Sequence, residues 1–428
     1  MPEAHDSYAA LRYVSFRRIL AANVLAGIAF EMQNAAISWE LYERTNSAIS
    51  LGNVGLVQFI PVLLLAIPAG HLADIWSRKW LAVSALSVAL TATCGIELIS
   101  LFQGPVPLIY VCLFVHGISR ALSAPARSSL LAMVVPLDDL SNAVTWSSSG
   151  WQTAQMLGPA LGGWMIAVTG GASRVYVMTA VMTVIAAVLI ASTRPRPFER
   201  QAEPLTFGSL FDGVRFVWRH ELLLAALSLD LFAVLFGGAT ALLPIFAKEI
   251  LQVGPVGFGW LRAAPAIGAV VMAVALAHRR PMRRAGRTLL LAVAGFGIAT
   301  IAFGFSHDPY LSFTLLALTG ALDNISIVVR GTLVQRLTPD AMRGRVSAVN
   351  SIFIVTSNEL GAVESGYTAH WFGPVLSVVL GGIGTLAVVA TVATRWPQVR
   401  RLGALNDVSI PEPEAQEVVS ESAAQARG

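Results

Sequence analysis

The sequence predicts an all-α integral membrane protein, with twelve transmembrane helices in two six-helix bundles related by pseudo-two-fold symmetry. Three observations predict this fold class: a composition poor in charge, twelve long apolar runs and an internal repeat. Of the 428 residues, 55% are hydrophobic and only 13% are charged, and the mean hydropathy is +0.67. Ordinary soluble domains carry roughly 25% charged residues, so this composition excludes a cytosolic enzyme.

The apolar runs are each long enough to cross a bilayer, which takes about 20 residues of helix. They are continuous, whereas the strands of a transmembrane β-barrel would alternate apolar and polar residues. Glu31, Gln33 and Asn34 interrupt the first run, so an uncleaved helix is expected there instead of a signal peptide. The twelve predicted spans are 19–39, 51–73, 80–102, 107–126, 143–168, 175–193, 222–246, 257–277, 288–306, 310–329, 346–368 and 371–394.

The basic residues indicate the orientation of the spans. With a cytoplasmic N-terminus, all but five of the 29 Lys and Arg residues lie in inner segments, as the positive-inside rule requires. The exceptions are Arg44, Arg174 and Lys248 in outer loops, and Arg120 and Arg262 within spans. Both termini are therefore expected inside, in a multi-pass protein of the plasma or inner membrane. The net charge of +4 follows from this bias, and no nucleic-acid partner is needed to explain it.

Four segments follow from the spans and from changes of composition. Between spans six and seven, apolar residues from Phe207 to Trp218 have the spacing of an amphipathic helix, which is expected to lie on the inner surface as a passive connection. The end of the chain is acidic and poor in apolar residues, so disorder is expected there. The predicted segments are an N-terminal six-helix bundle (1–193), a cytoplasmic linker (194–221), a C-terminal six-helix bundle (222–401) and a cytoplasmic tail (402–428).

Motifs for ATP hydrolysis and for common catalytic chemistry are missing from the sequence. The two lysines, Lys79 and Lys248, do not follow a glycine, so the chain has no Walker A loop, and neither H-E-x-x-H nor G-x-S-x-G occurs. Cys94 and Cys112 both fall inside apolar runs and are interpreted as packing residues. These absences point away from catalysis and toward transport, with no cofactor and no metal expected.

An internal repeat relates the two halves of the chain. Span four reads GISRALSAPAR from Gly117 to Arg127, and span ten reads GALDNISIVVR from Gly320 to Arg330, an offset of 203 residues. The same offset sets GPALGG of span five over GAVESG of span eleven. A six-span unit duplicated in parallel predicts two bundles related by an axis along the membrane normal, with a binding site between them near the midplane.

Polar residues form stripes along single faces of spans one, four and ten. On span four the stripe reaches Arg120, and at the matching place on span ten it reaches Asp323. Such faces cannot point at lipid without burying charge in hydrocarbon, so they are expected to meet across a central cavity. The substrate-cavity candidates are Asn23, Asn34, His116, Ser123, Thr319, Asn324 and Ser326.

Charged residues inside the spans are the candidates for proton coupling. A buried carboxylate takes up a proton more readily, while a neighbouring arginine drives the proton off, so a carboxylate whose arginine contact changes can carry protons. Glu31 is the first candidate, with Arg120 as partner charge, and a fixed structural salt bridge is the competing interpretation. Asp230 and Asp323 are the alternatives. The eight charged residues within spans are Glu31, Glu97, Arg120, Asp230, Arg262, Asp323, Glu359 and Glu364.

Glu97 and Arg262 lie about five residues from the outer ends of their spans. Long charged side chains at such positions can extend to the membrane interface, so these two residues are weaker candidates for coupling than Glu31.

Two motifs resemble those of the major facilitator superfamily. The inner end of span two reads GHLADIWSRK and is similar to the family pattern G-x-L-A-D-R-x-G-R-K, with Ile75 and Ser77 departing from it. The matching residues are Gly70, Leu72, Ala73, Asp74, Arg78 and Lys79. Span five resembles the G-P-x-x-G-G stretch of drug/proton antiporters in Gly158, Pro159, Gly162 and Gly163. The segments beginning at Pro125 and Pro204 resemble the enterobactin-exporter-like branch of small-molecule efflux proteins.

The resemblance implies twelve spans and alternating access. It implies that Asp74 acts with Gly70, Arg78 and Lys79 in a cytoplasmic gate near the start of span eleven, and that the motif of span five belongs to exporters. The expected function is proton-coupled efflux of amphipathic small molecules by a monomer in the lipid bilayer. The alternatives are an importer or facilitator of the same fold, and a membrane sensor or lipid-handling protein.

Overall fold

The computed structural model describes residues 6–195, 207–279, 282–339 and 342–405. Within these ranges the secondary structure is helical. The α-helices are α1 (Val14–Thr45), α2 (Ala48–Ile75), α3 (Arg78–Leu101), α4 (Val106–Ala132), α5 (Leu140–Thr169), α6 (Ser173–Ala191), α7 (Phe207–Arg219), α8 (Glu221–Phe236), α9 (Leu243–Ile245), α10 (Gly254–Ala277), α11 (Ala285–Phe305), α12 (Pro309–Leu337), α13 (Arg343–Phe372), α14 (Pro374–Arg395) and α15 (Pro397–Arg401).

Eleven helical segments in the described ranges are long and apolar enough to cross a membrane. Helices satisfy every backbone hydrogen bond within themselves, which is what hydrocarbon demands of a spanning segment. The predicted all-α membrane fold is therefore confirmed. Helix α5 has 30 residues but is not among the eleven, because glycines, a proline and polar residues such as Gln152 and Gln155 lower its hydropathy.

The chain folds into two compact units. Unit 1 comprises Met1–Pro204, Thr240–Ala266 and His307–Pro309, and unit 2 comprises Leu205–Ala239, Ile267–Ser306 and Tyr310–Gly428. Unit 1 has a core built on α1, α3, α4, α5 and α6, and the core of unit 2 is built on α7, α8 and α11–α14. The bundle boundaries expected at residues 193 and 222 stay a prediction.

The helix bounds follow the internal repeat. Helix α5 runs from Leu140 to Thr169 and α13 from Arg343 to Phe372, so both ends are separated by the same 203 residues. The starts of α4 and α12 have this offset as well. Equivalent residues of the two copies can therefore be compared directly.

The seventh span differs from the continuous helix that the sequence predicts over 222–246. Helix α8 ends at Phe236, and the chain continues as a 3-10 turn (Ala239–Leu242), the short α9 and a π-helical turn (Phe246–Ile250). The break falls at Gly237 and Gly238, where a side chain would lie 2.8 Å from the Ala233 carbonyl oxygen and 2.6 Å from Ser365 Oγ, respectively. Glycine is the residue that such close packing permits.

The amphipathic helix of the linker is present as α7 and packs on unit 2. Phe216 and Val217 are buried in the core of that unit, and Asp212 lies 3.4 Å from Arg345 at the start of α13. Trp218 is 69% exposed. The helix is thus held by its apolar face and by an ion pair. The residues of the linker before α7, from 196 to 206, and of the tail after 405 lie outside the described residues.

The orientation drawn from the basic residues can be tested by cysteine labelling. In a background carrying Cys94→Ser and Cys112→Ser, a cysteine at Gly171, between α5 and α6, should react with a membrane-impermeant maleimide in intact cells. A cysteine at Gly403, after α15, should react only once the membrane is permeabilised. The reverse pattern would contradict the predicted orientation.

Candidate functional site

Glu31 lies on α1 directly against the motif of α5. A methyl group in place of a hydrogen on Gly158 would lie 2.5 Å from Cβ of Glu31 and 3.0 Å from the Ile28 carbonyl oxygen, so only glycine allows this approach. One turn further along α5, Gly162 packs in the same way on the backbone of Met32. The motif thus fixes the backbone that carries Glu31, whose side chain is half-buried.

The same stretch of α5 also contacts the first half of α10, within unit 1. A Cβ on Gly163 would lie 2.9 Å from Cα of Gly259, and a Cβ on Gly259 would lie 2.6 Å from the Pro159 carbonyl oxygen. The two glycines therefore allow the helix backbones to touch without intervening side chains. Gly158, Pro159, Gly162 and Gly163 are all buried.

Helix α4 brings His116 and Arg120 to the other side of α1. The ring of His116 is 6% exposed and stacks on Phe30, with centroids 5.6 Å apart. Arg120 donates from Nη1 to Gln58 Oε1 at 3.0 Å, and its guanidinium lies 5.5 Å from the centre of the Phe30 ring. Arg120 is thus engaged by a neutral amide and an aromatic face.

The other cavity candidates are half-buried or buried within their own units. In unit 1, Asn23, Asn34 and Ser123 are half-buried. In unit 2, Thr319 donates to the Leu316 carbonyl oxygen at 2.7 Å. Oδ1 of Asn324 and Oγ of Ser326 are buried and have no hydrogen-bond partner among the described residues.

Unit 2 holds the second group of charges. Arg330 of α12 donates to the Asp230 carboxylate of α8 in an ion pair whose two side chains are 5% and 6% exposed. Asp230 and Asp323 line one small cavity together with Ser326, Leu322 and Phe296. Two carboxylates therefore line one cavity, and one of them, Asp230, is paired with an arginine. Asp230 is held by the ion pair with Arg330. Asp323, two helical turns before Arg330 on α12, faces the cavity.

The motif at the end of α2 is described only in part. The side chain of Asp74 lies outside the described residues, so its predicted place in a gate stays a prediction. Gly70 has room for a side chain, since a Cβ there would meet no atom within 4 Å. Lys79, at the start of α3, donates to the Thr193 carbonyl oxygen at 3.0 Å and so ties α3 to the end of α6. Arg78 is half-buried.

Aromatic and charged residues join α1 to the end of the seventh span and to α10. The hydroxyl of Tyr42 donates to the Glu249 carboxylate on the π-helical turn, and Lys248 Nζ lies 5.5 Å from the centre of the Tyr42 ring. One turn earlier on α1, Trp39 packs on Phe258 with centroids 5.5 Å apart. Short π-helical turns often occur at functional sites.

A polar network near the C-terminal end of α1 is separate from Glu31. Tyr176, fully buried on α6, donates to Glu40 Oε2 at 2.8 Å, and Arg44 Nη1 lies 3.1 Å from Glu40 Oε1. Ser173 donates to Glu97 Oε1 at 2.7 Å. Glu97 thereby joins α3 to the start of α6, and its expected place at the membrane interface stays a prediction.

Two residues that partner the charges were missed by sequence reasoning. Arg330 entered only as the end of the span-ten repeat, and Gln58 was not singled out. Nothing in the sequence pairs Gln58 with Arg120.

Fold and composition together define a multi-pass integral membrane protein of the transporter class. The family model for transmembrane secretion effectors matches residues 5–427, and the chain belongs to that family of the major facilitator superfamily. The enterobactin exporter EntS of Shigella boydii serotype 18 is 26% identical over 384 residues, which cover 87% of this chain and 90% of that protein. The protein is therefore a membrane transporter of small molecules and not an enzyme.

Solved structures agree with this fold. A mutant of the peptide transporter POT superposes with a TM-score of 0.74 at 13% identity, covering 94% of this chain and 100% of that one. A bacterial homologue of the human lysosomal transporter Spinster, in an inward-facing and unoccupied conformation, superposes with a TM-score of 0.66 at 16% identity, covering 91% and 96%.

The network at Glu40 yields a prediction for stability. Tyr176→Phe removes the hydroxyl that donates to a buried carboxylate, and side-chain hydrogen bonds between membrane helices contribute about 1 kcal/mol. Thermal unfolding in detergent, followed by tryptophan fluorescence, should show a lower midpoint for this variant. Tyr310→Phe, at a residue that is 84% exposed, is the control and should leave the midpoint unchanged. Equal midpoints for both variants would contradict the assigned role of the hydroxyl.

Proposed function

We propose that the protein is a proton-coupled exporter of amphipathic small molecules that works by alternating access in the inner membrane, as a monomer with both termini cytoplasmic. Membership of the secretion effector family and similarity to a protein named an enterobactin exporter support the outward direction. The half-buried and buried polar residues of α1, α4 and α12 support an amphipathic substrate, because they place hydrogen-bonding groups among apolar side chains.

The observation that carries the proposal is an asymmetry between the two copies of the repeat. In unit 2, Gly361 packs against the backbone of Val234 and Leu235, as Gly158 packs against Glu31 and Met32 in unit 1. Val234 is the equivalent of Glu31 at the offset of 203. The packing arrangement thus accepts an apolar residue. The carboxylate of Glu31 is not needed to build the contact and is available for chemistry.

Glu31 is proposed as the proton carrier. Coupling requires that the carboxylate be protonated in one state and ionised in the other, while the substrate moves in the opposite direction. One proton that moves down a gradient of one pH unit releases about 1.4 kcal/mol, enough to hold roughly a tenfold substrate gradient. Arg120 is proposed to bias this equilibrium through its charge.

Asp230 and Asp323 are proposed as the second acidic site. The ion pair with Arg330 holds Asp230, so Asp323 is the carboxylate of unit 2 that is better placed to exchange a proton with the cavity. Under this assignment Asp323 adds to the coupling or tunes it, and Glu31 remains the residue on which transport depends.

The cavity candidates and the gate keep the roles that the sequence predicts. Substrate contacts are proposed for Asn23, Asn34, His116 and Ser123 in unit 1. In unit 2 they are proposed for Thr319, Asn324 and Ser326. The gate is proposed at Gly70, Asp74, Arg78 and Lys79. A carboxylate such as Asp74 near a helix N-terminus is stabilised by the partial positive charge there, which would hold a closed inner gate.

The function can be tested with the purified protein in proteoliposomes that contain a pH-sensitive dye. Enterobactin, the dye ethidium and a fluorescent phospholipid serve as probes, with and without an imposed pH gradient. Proton movement that depends on enterobactin or ethidium is expected. Gradient-independent uptake of a probe would instead indicate a facilitator, and failure of all three probes to move protons would overturn the coupled mechanism.

Glu31→Gln keeps the shape of the side chain but cannot lose a proton. We expect it to lower gradient-driven transport at least tenfold, while exchange of labelled for unlabelled probe without a gradient continues. Glu221→Gln is the matched control, because that carboxylate is exposed at the start of α8 and should be dispensable. Unchanged coupled transport in Glu31→Gln would show that another group carries the proton.

A further inference from the structure

A patch of exposed arginines lies in unit 2 where α11 begins, α14 ends and α15 follows. Each arginine of this basic patch is exposed to solvent. The described segments that carry it, residues 282–287 and 395–405, contain no aspartate or glutamate. The members of the patch are Arg283, Arg284 and Arg287 around the start of α11, Arg395 at the end of α14, and Arg400 and Arg401 in α15.

Backbone contacts between α11 and the segment after α14 bring the two groups of arginines together. The N–H of Ala285 donates to the Gly403 carbonyl oxygen at 2.9 Å. A Cβ on Gly286 would overlap the Val399 carbonyl oxygen and would lie 2.8 Å from Cβ of Leu402. The arginines are sequence neighbours of residues whose backbones touch, so α11 and α15 present them as one surface.

The packing of α15 is more than the topology of the chain requires. Basic residues orient a membrane span through their charge, and they need no fixed conformation to do so. Here Val399 is 1% exposed, and Leu402 and Leu405 lie against the core of unit 2. Gln398 donates to Oε2 of Glu221, at the start of α8, at 2.9 Å. These contacts hold the arginines of α15 in place beside those of α11.

The arginines of the patch form no ion pair with any described residue, whereas other arginines of unit 2 do. Arg330 is paired with Asp230, and Arg345 lies 3.4 Å from Asp212. Like charges held close together repel one another, so a folded patch of guanidinium groups costs free energy. A bound anion would offset that cost.

The ends of α11 and α14 place the basic patch at the level of the lipid headgroups. Both helices are long and apolar enough to cross a membrane, so their ends emerge at the interface. Trp396 follows α14 with its ring centre 5.9 Å from the Arg395 guanidinium, and tryptophan is enriched at this level of a membrane. Phospholipids carry their phosphates there, and guanidinium groups bind phosphate through two parallel hydrogen bonds.

We propose that the basic patch binds the headgroup of an anionic phospholipid and recognises its phosphate. Arginines on both sides of the α11–α15 contact donate to it, so a headgroup with two phosphates can bridge the two helices. Basic pockets at the ends of membrane helices bind such headgroups. The surface is separate from the candidate transport site, and it depends neither on the direction of transport nor on the coupling ion.

The test measures binding of cardiolipin, an anionic phospholipid with two phosphates, to the full-length protein in a nonionic detergent. Thermal unfolding midpoints over a range of lipid concentrations give the affinity, because a ligand of the folded state raises the midpoint. Zwitterionic phosphatidylcholine and inorganic phosphate are the comparison probes. Cardiolipin should raise the midpoint more than either of them does. An equal rise with phosphatidylcholine or with inorganic phosphate would overturn recognition of an anionic headgroup.

Arg287→Gln combined with Arg400→Gln removes one charge from each side of the α11–α15 contact. We expect the affinity for cardiolipin to fall roughly 30-fold, as for the loss of two arginines at an anionic membrane surface. Arg17→Gln combined with Arg215→Gln is the matched control, since both side chains are exposed and lie outside the patch. Equal losses in the two double variants would indicate general charge attraction and overturn a defined site.

A further variant keeps every charge and changes only the helix contact. Gly286→Ala places a methyl group against the backbone of α15, so the two groups of arginines must separate. Cardiolipin affinity should fall in this variant. Gly331→Ala is its control, because a Cβ there would meet no atom within 4 Å, and its affinity should stay unchanged. Full affinity in monodisperse Gly286→Ala would overturn the role of the α11–α15 contact.

The acidic end of the chain, after residue 405, is the competing occupant of the patch. A variant that combines Glu412→Gln, Glu414→Gln, Glu417→Gln and Glu421→Gln removes most of its charge. Similar cardiolipin affinity in this variant and in the wild type would support lipid as the occupant. Cardiolipin binding by this variant alone would assign the patch to the chain end instead. Absence of binding in both would overturn the proposal, whatever the transport assays give.

Discussion

The cost of placing charge in hydrocarbon governs the arrangement of this protein. A charged side chain at the centre of a membrane helix costs about 2.5–3.5 kcal/mol even by insertion scales, and a partner on a neighbouring helix offsets part of this cost. Arg330 is paired with Asp230, and Arg120 is bonded to Gln58. Each partnership joins two helices and fixes their rotation about their axes, so the few charges of the spans also specify which helix faces meet.

Helix packing, in contrast, depends on small residues. The glycines of α5 let α1 and α10 approach until backbones touch, and Gly361 of α13 does the same for α8. Because lipid offers no hydrophobic drive for helix association, such close contact and its dispersion attraction hold the helices together. Because helix packing and charge pairing depend on different residues, Glu31 can occupy one copy of the repeated contact while Val234 occupies the other. Shape is conserved between the copies, and chemistry is not.

The lengths and places of the helices could be predicted from the sequence because they depend on local composition. The apolar run over 346–368 lies within the observed α13, and the repeat offset aligns α5 with α13 to the residue. What failed depends on contacts between distant segments. Gln58 was not singled out, because nothing in its own stretch of sequence shows that it meets Arg120 of another helix. The break of the seventh span likewise follows from what Gly237 and Gly238 pack against, not from their own propensities alone.

The lengths of the helices tie the candidate site to the lipid around it. Helices α1, α5, α12 and α13 have 32, 30, 29 and 30 residues, or roughly 43–48 Å at 1.5 Å per residue, against a hydrocarbon core of about 30 Å. Helices α6 and α11, with 19 and 21 residues, match that core without excess length. Long helices meet a mismatch by tilting or by deforming the bilayer. The segments that carry Glu31, the α5 glycines and Asp323 are therefore the ones on which a change in membrane thickness exerts force, while the short helices hold their depth.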